Sequence, residues 1–291
     1  MIKRIAKITL KVLVLIVTLS VFAYLYLFYS LNARIEKAYA IEPRAIAFNT
    51  DVALLVQGEH LYTIKGCADC HGPDLGGKVM FDDLAVGVFG GSNITYGEGG
   101  LPKDYTSKDW LRALRHGINK ESKPLLIMPS QEIYKLSDKD ISALIAYCMN
   151  QPPVNNKVPP VKLRPLGTIL SALGQIPLIS AEHIDHAYTA PVAVEALPNA
   201  VYGEYLAVSC SGCHKQNFKG GKSEVPGMKP YPDITASGSV DRWSEQQFIQ
   251  TLRTGTTPEG KQMKNEEMPW QMTKAYTDTE LKALYVFLKQ Q

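Results

Sequence analysis

The feature that most constrains the fold of this 291-residue chain is that it repeats itself. Cys67-Ala68-Asp69-Cys70-His71 returns as Cys210-Ser211-Gly212-Cys213-His214, and each copy follows a matched pair, Gly58-Glu59-His60-Leu61 and Gly203-Glu204-Tyr205-Leu206. Downstream, Asn93-Ile94-Thr95 answers Asp233-Ile234-Thr235, and Trp110-Leu111 through Arg115 and Gly117 answer Phe248-Ile249 through Arg253 and Gly255. Met128-Pro129 then answers Met268-Pro269, and from there Ser137-Asp138 aligns with Thr277-Asp278 and Tyr147 with Phe287 without a gap. Self-similarity of this kind implies two copies of one unit. Within each, the pattern predicts a short helix carrying the cysteines at its C-terminal end. A final amphipathic helix follows, with Ser137 or Thr277 as N-cap.

Four of the five cysteines lie in these two C-x-x-C-H motifs, the attachment signature of c-type haem. Two thiols three positions apart can bond the two vinyl groups of one porphyrin, and the next histidine presents an imidazole to the iron. A disulfide in each pair, or a four-cysteine zinc site, is disfavoured because the histidine repeats in both copies and more than 130 residues separate the pairs. The fifth cysteine, Cys148, falls in an apolar periodic segment and is expected to be core.

A haem held by one histidine keeps an open axial position, and its occupant decides between electron transfer and small-molecule chemistry. Met128 stands 57 residues after His71 and Met268 stands 54 after His214, each followed by proline. These matched residues are the expected sixth ligands. Met263 is the rival in the second copy, while Met80, Met149, Met228 and Met272 lack counterparts. His60 and His116 are expected at the surface or at caps, and His183 and His186, an H-x-x-H pair, as solvated connector residues. Gly76-Gly77-Lys78 and Gly220-Gly221-Lys222 are expected to be turns passing close to the porphyrin edge.

From Val12 to Leu31 the chain carries twenty residues without a charge, enough for a helix to cross a hydrocarbon core about 30 Å thick. Lys3, Arg4, Lys7 and Lys11 precede it and should remain in the cytoplasm, leaving the rest of the chain on the outer, periplasmic face. A cleaved signal peptide is the competing reading, since Ala38-Tyr39-Ala40 has the small-x-small form. The apolar run exceeds a signal h-region, however, and Arg34, Glu36 and Lys37 intervene. Beyond those first residues, 27 basic residues face 28 acidic ones, which gives no support to a nucleic-acid-binding surface. The expected organisation is a cytoplasmic tail and anchor at 1–40, a first haem domain at 44–150, a Pro-rich connector at 151–196 and a second haem domain at 197–291. Pro152, Pro153, Pro159, Pro160 and Pro165 stiffen the connector, whose stretch from Leu166 to Glu195 either covers one unit or pads the junction of the two.

These residues resemble the class I c-type cytochromes, and the arrangement looks like a membrane-anchored dihaem cytochrome. The segment from Asn93 through Met128-Pro129 to Tyr147 is similar to haem domains in the cytochrome subunits of membrane-bound alcohol and gluconate dehydrogenases. The resemblance covers roughly residues 55–150 and 198–290. It implies an all-α fold around each of two covalently bound haem c groups, with Cys67, Cys70, Cys210 and Cys213 as thioether sites. It implies His71 and His214 as proximal ligands, and Met128 and Met268 as distal ones. Pro73 stands where such families often place a proline whose carbonyl orients the imidazole, and Gln216 in the second copy puts the support of His214 in question. The expected function is electron transfer between respiratory partners at the outer membrane face. The donor would be a dehydrogenase or quinol-oxidising complex and the acceptor an oxidase or soluble cytochrome. The alternative is a dihaem enzyme with one open iron, of peroxidase or thiosulfate-oxidising type.

Overall fold

The computed structural model describes residues 2–48, 51–223 and 229–291; Met228 therefore lies outside the described residues. Helix α1 (Ile2–Ile35) extends beyond the apolar run at both ends. Its Thr9 and Thr18 hydroxyls donate to the carbonyls of Ile5 and Val14, which satisfies them without water. Among the described residues, it is the one helix long and apolar enough to cross a membrane.

The first unit opens with α2 (Val52–Ile64), capped by the Asp51 carboxylate at the Leu54 N–H. The single helix expected through the first cysteine motif is broken: α2 ends at Ile64, Gly66 adopts φ +70°, and a separate turn of helix, α3 (Cys67–His71), carries the motif. The second unit has no residues corresponding to Lys65-Gly66, and its α7 (Ala200–His214) runs unbroken through the motif as expected. After α3 come a hairpin of β1 (Lys78–Asp83) and β2 (Gly87–Gly91), then α4 (Ser107–His116) and α5 (Asp138–Met149). The short β3 (Lys162–Leu163) pairs antiparallel with β2, so the chain is mostly helical but carries a small sheet that the all-α expectation did not include. Following β3, α6 (Pro165–Ala172) begins with proline at a position where its missing N–H costs nothing.

The second unit comprises α7, α8 (Ser239–Arg242), α9 (Glu245–Thr254), α10 (Trp270–Thr273) and α11 (Asp278–Leu288). Both final helices start at the caps the sequence shows, Ser137 accepting from the Asp140 N–H and Thr277 from the Glu280 N–H. In each unit the first and last helices cross at a glycine. A Cβ on Gly58 would lie 2.1 Å from the Ala143 carbonyl oxygen and 2.5 Å from Cβ of Tyr147. A Cβ on Gly203 would lie 2.1 Å from the Ala283 oxygen and 2.6 Å from Cβ of Phe287. The repeated glycine-aromatic pairs thus mark where two backbones touch. The equivalent arginines do a second shared job: Arg115 donates to the Tyr134 and Leu136 carbonyls and pairs with Asp138, and Arg253 donates to Lys274 and pairs with Asp278.

The units join back to back through one continuous buried cluster. Their contacts are reciprocal. His60 on α2 meets the Glu280 carboxylate at 2.8 Å, and its counterpart Tyr205 on α7 donates to Asp140, the counterpart of Glu280. His60 is therefore an inter-unit hydrogen-bond partner, not the surface or capping residue expected. Tyr276 donates to the Ile64 carbonyl at 3.2 Å, and Lys65 reaches Ser209 at 3.1 Å.

The stretch from 166 to 195 covers the first unit and the C-terminal end of α1. Leu178, Ile179 and Ala181 build a second buried cluster with Leu31, Tyr39, Phe89 and Ile118. His186 is half-buried, its Nδ1 3.2 Å from Nδ1 of His116, and His116 is buried at the end of α4, not at the surface. His183 is exposed as expected.

Candidate functional site

Each unit encloses an apolar cavity against its cysteine motif. One, of about 240 Å³, is lined by Cys67, His71, Ser92, Met128 and Leu144, with Cys148 in its wall; Cys70 sits outside that lining. The other, of about 460 Å³, is lined by Cys210, Cys213, His214, Pro232, Met263 and Met268. Pockets for organic ligands usually measure about 300–1,000 Å³, so the second is full-sized and the first narrower. Each cavity therefore receives the motif histidine and the Met-Pro methionine of its own unit, which stand more than fifty residues apart in sequence.

The histidines are fixed alike. Nδ1 of His71 lies 2.8 Å from the Ser92 carbonyl oxygen, and Nδ1 of His214 lies 2.8 Å from that of Pro232. A carbonyl can only accept, so each Nδ1 carries the proton and each Nε2 keeps its lone pair. Burial pushes both imidazoles below the ordinary histidine range, which favours the neutral form a metal requires. This corrects the expectation placed on Pro73 and Gln216: the orienting carbonyls come 21 and 18 residues downstream, and His214 is supported as well as His71.

The loops that deliver those carbonyls explain the repeated turn residues. Gly77 (φ +76°) and Gly220 (φ +66°) donate to the carbonyls of His71 and His214, and a Cβ on either would strike the carbonyl-bearing segment, at 2.5 Å from Gly91 O or 2.1 Å from Tyr231 O. Their tight approach within the protein is to the segment whose carbonyl orients the histidine. Leu75 and Phe218 precede them in matching left-handed conformations, and their carbonyls accept from Ile94 and Ile234. Asn93 and Asp233 then close the turn on the Thr95 and Thr235 N–H groups, at 2.9 and 2.8 Å. Sequence reasoning flagged this repeat but missed Ser92 and Pro232, because a backbone acceptor leaves no mark on residue type.

The methionine loops are held differently. Ile127, just before Met128, adopts φ +63°, costly for a β-branched residue, and its N–H donates to the Leu178 carbonyl at 2.7 Å. The Met128 carbonyl accepts from the Ser130 N–H and from the Ser180 hydroxyl, so the connector clamps this loop. In the second unit, the Met268 carbonyl accepts from the Trp270 N–H at 2.7 Å, and Trp270 packs where a Cβ on Gly255 would fall. Met263 donates its N–H to the Gly255 carbonyl as Leu125 does to Gly117, so Met263 occupies the place of a leucine in the cavity wall. Met272 lies at the junction, its Sδ 3.2 Å from where a Cβ on Gly66 would stand.

Burial raises the Cys67 and Cys210 thiols to about 12 and about 11, so both sulfurs are neutral at physiological pH. No cluster of three or more metal-binding histidine, cysteine or carboxylate groups occurs among the described residues. A neutral imidazole lone pair, neutral cysteine thiols and an apolar cavity together suit a haem.

A helix-wrapped unit of this kind, closed on a C-x-x-C-H motif and present twice, defines a tandem c-type cytochrome. Comparison with known families agrees: residues 53–148 match the family described as cytochrome C oxidase, cbb3-type, subunit III, and residues 200–291 match cytochrome c. The chain is a dihaem cytochrome with one cytochrome c domain in each unit. It is 28% identical over 247 residues to the alcohol dehydrogenase (quinone) cytochrome c subunit of Gluconobacter oxydans (strain 621H), covering 72% of this chain and 49% of that one. It is 27% identical over 226 residues to the fructose dehydrogenase cytochrome subunit of Gluconobacter japonicus, covering 69% and 45%. To the gluconate 2-dehydrogenase cytochrome c subunit of Pantoea cypripedii it is 34% identical over 104 residues, covering 34% and 23%. The chain thus spans about half or less of the length of these relatives.

Proposed function

We propose that the chain carries electrons from a dehydrogenase to a respiratory acceptor at the outer face of the cytoplasmic membrane. In this reading α1 is its single-pass anchor, with the N-terminus cytoplasmic and both cytochrome domains periplasmic. The observation that carries the electron-transfer reading is the pairing, in each cavity, of an oriented neutral histidine with the repeated Met-Pro methionine. Cys67, Cys70, Cys210 and Cys213 are the thioether attachment sites. His71 and Met128, and His214 and Met268, are the axial pairs. Bound there, haem supplies a one-electron couple whose potential methionine ligation raises.

The protein's own contribution is to hold its ligands rigidly. Ser92 and Pro232 fix the imidazole planes, the connector and Trp270 fix the methionine loops, and apolar walls exclude water. One continuous buried cluster joins the two units, and the anchor would confine the carrier beside membrane partners, raising its effective concentration there. The similarity to cytochrome subunits of quinone-linked alcohol, fructose and gluconate dehydrogenases supports a dehydrogenase as the donor. A dihaem enzyme needs an asymmetric open site, and the matched methionines speak against it. The test is the reduced visible spectrum before and after carbon monoxide. An unchanged spectrum is expected, and a fraction that binds the gas in the native protein would refute closed His/Met ligation.

A further inference from the structure

The anchor and the connector meet at a depth that has a consequence for the bilayer. Along α1, the residues from 2 to 30 are exposed except Tyr24 and Leu27; these continue through buried Leu31 to Arg34 and Ile35 as one stripe. Helix α6 packs against α1, and Leu31 and Ile35 share a cluster with Ala172 and Ile176. Tyr24 and Leu31 are seven residues apart, about 10 Å along a helix, and both lie inside the apolar run that ends at Leu31. A segment packed against that stripe sits within the outer edge of the hydrocarbon, at the depth of about 5–10 Å typical of interfacial helices.

The composition of the segment fits that place. From Pro165 to Ala181 the chain has no charged residue. Leu166 and Leu173 are 42% and 58% exposed, and beside them Leu84, at the tip of the β1–β2 hairpin, is 89% exposed. The hairpin tip is tied to α6 by the Leu166 N–H donating to the Ala85 carbonyl, and Gly167 packs against the Val86 carbonyl so closely that a Cβ would lie 1.9 Å away. The charges that border the patch are engaged: Arg164 pairs with Asp82 and Glu182 with Arg34, and the Asp83 carboxylate accepts from the Ala85 and Val86 N–H groups. Paired charges at the rim and leucines in the centre suit a surface half-immersed among lipid headgroups.

We propose that α6 and the Leu84 turn form a second membrane contact, a lipid-immersed platform that seats the first cytochrome domain on the bilayer in one orientation. It rests on the reading of α1 as a membrane span. The same connector clamps the Met128 loop through Leu178 and Ser180, so the platform ties that site, more than the second, to the membrane surface.

The test uses the full-length haem-loaded protein in vesicles of phosphatidylcholine and phosphatidylglycerol. An environment-sensitive fluorophore is attached in turn through Leu166→Cys, Leu173→Cys, Val17→Cys and Val201→Cys. Cys148, 3% exposed, does not compete for label. Quenching is read with lipids brominated at graded depths along their acyl chains. Val17 lies in α1, whereas Val201, 73% exposed on α7, is a comparably bare residue away from the platform. The expected result is loss of fluorescence at Leu166 and Leu173 with shallow bromines, at Val17 with deep ones, and none at Val201. Quenching at Val17 with Leu166 and Leu173 behaving like Val201 would overturn the platform, leave the anchor standing, and assign this face to a protein partner. No quenching at Val17 would overturn the anchor reading and the platform with it.

Discussion

Placing alanine at the helix crossings, in Gly58→Ala and Gly203→Ala, sets two opposed effects against each other. By helix propensity alone, replacing a glycine inside a helix by alanine stabilises by about 0.5–1 kcal/mol. The new Cβ, however, would lie 2.1 Å from a backbone carbonyl oxygen in either unit, with the aromatic Cβ of Tyr147 or Phe287 at 2.5 or 2.6 Å. No rotamer relieves a clash with backbone, so the helices must part by about 1 Å through a close-packed interior. Overpacking of this kind costs about 1–3 kcal/mol, and the rigidity of the obstacle puts it at the upper end. The net loss is about 2 kcal/mol, or about 4–8 °C in Tm for the two units unfolding together as one cooperative body. Far-ultraviolet circular dichroism during thermal unfolding measures it, with both variants expected to fall together. An unchanged or raised Tm in either would refute the claim that these glycines exist to let two backbones touch.

Three further outcomes are expected. Met128→Ala and Met268→Ala each open one iron, so each variant should bind carbon monoxide at half its haem and the double variant at all of it; an unchanged spectrum in a single variant removes that ligand assignment. Burial raises the Glu132 carboxyl to about 7, with Lys65 opposing. Because its folded value exceeds the unfolded value of about 4.3, its contribution is fully present below that and is lost as pH rises through about 7. Urea midpoints should therefore fall across this window in the native protein and flatten in Glu132→Gln. Tyr205→Phe removes the acceptor of the Ser137 N–H and the donor to Asp140, which should cost about 1–3 kcal/mol, read as a lower urea midpoint at constant slope.

How far the sequence reaches depends on whether a constraint is carried by residue type. The chemistry proposed for the two sites calls for cysteine, histidine and methionine side chains, so Cys67 through His71, Cys210 through His214, Met128 and Met268 could be singled out from spacing and repetition, and the fold brings His71 with Met128 and His214 with Met268 into one cavity each. Caps are equally legible, because only a short polar side chain reaches the N3 amide; Ser137 and Thr277 serve as their pattern implies. The twenty-residue apolar run announces a long helix on length alone. Constraints carried by backbone leave no such trace. The Ser92 and Pro232 carbonyls that orient the histidines could belong to any residue, and which segment supplies them follows from where Gly77 and Gly220 turn the chain.

Long-range pairing was likewise decided in three dimensions. Nothing local tells His60 to seek Glu280 or Tyr205 to seek Asp140; those contacts exist because two similar units bury their apolar backs against each other in a reciprocal arrangement. Nor does local pattern assign the stretch after Pro165, whose lack of charge reads equally as core or connector. Its place over the Met128 loop and beside the outer turns of α1 is set by which apolar surfaces remained uncovered, a quantity that only the assembled fold defines.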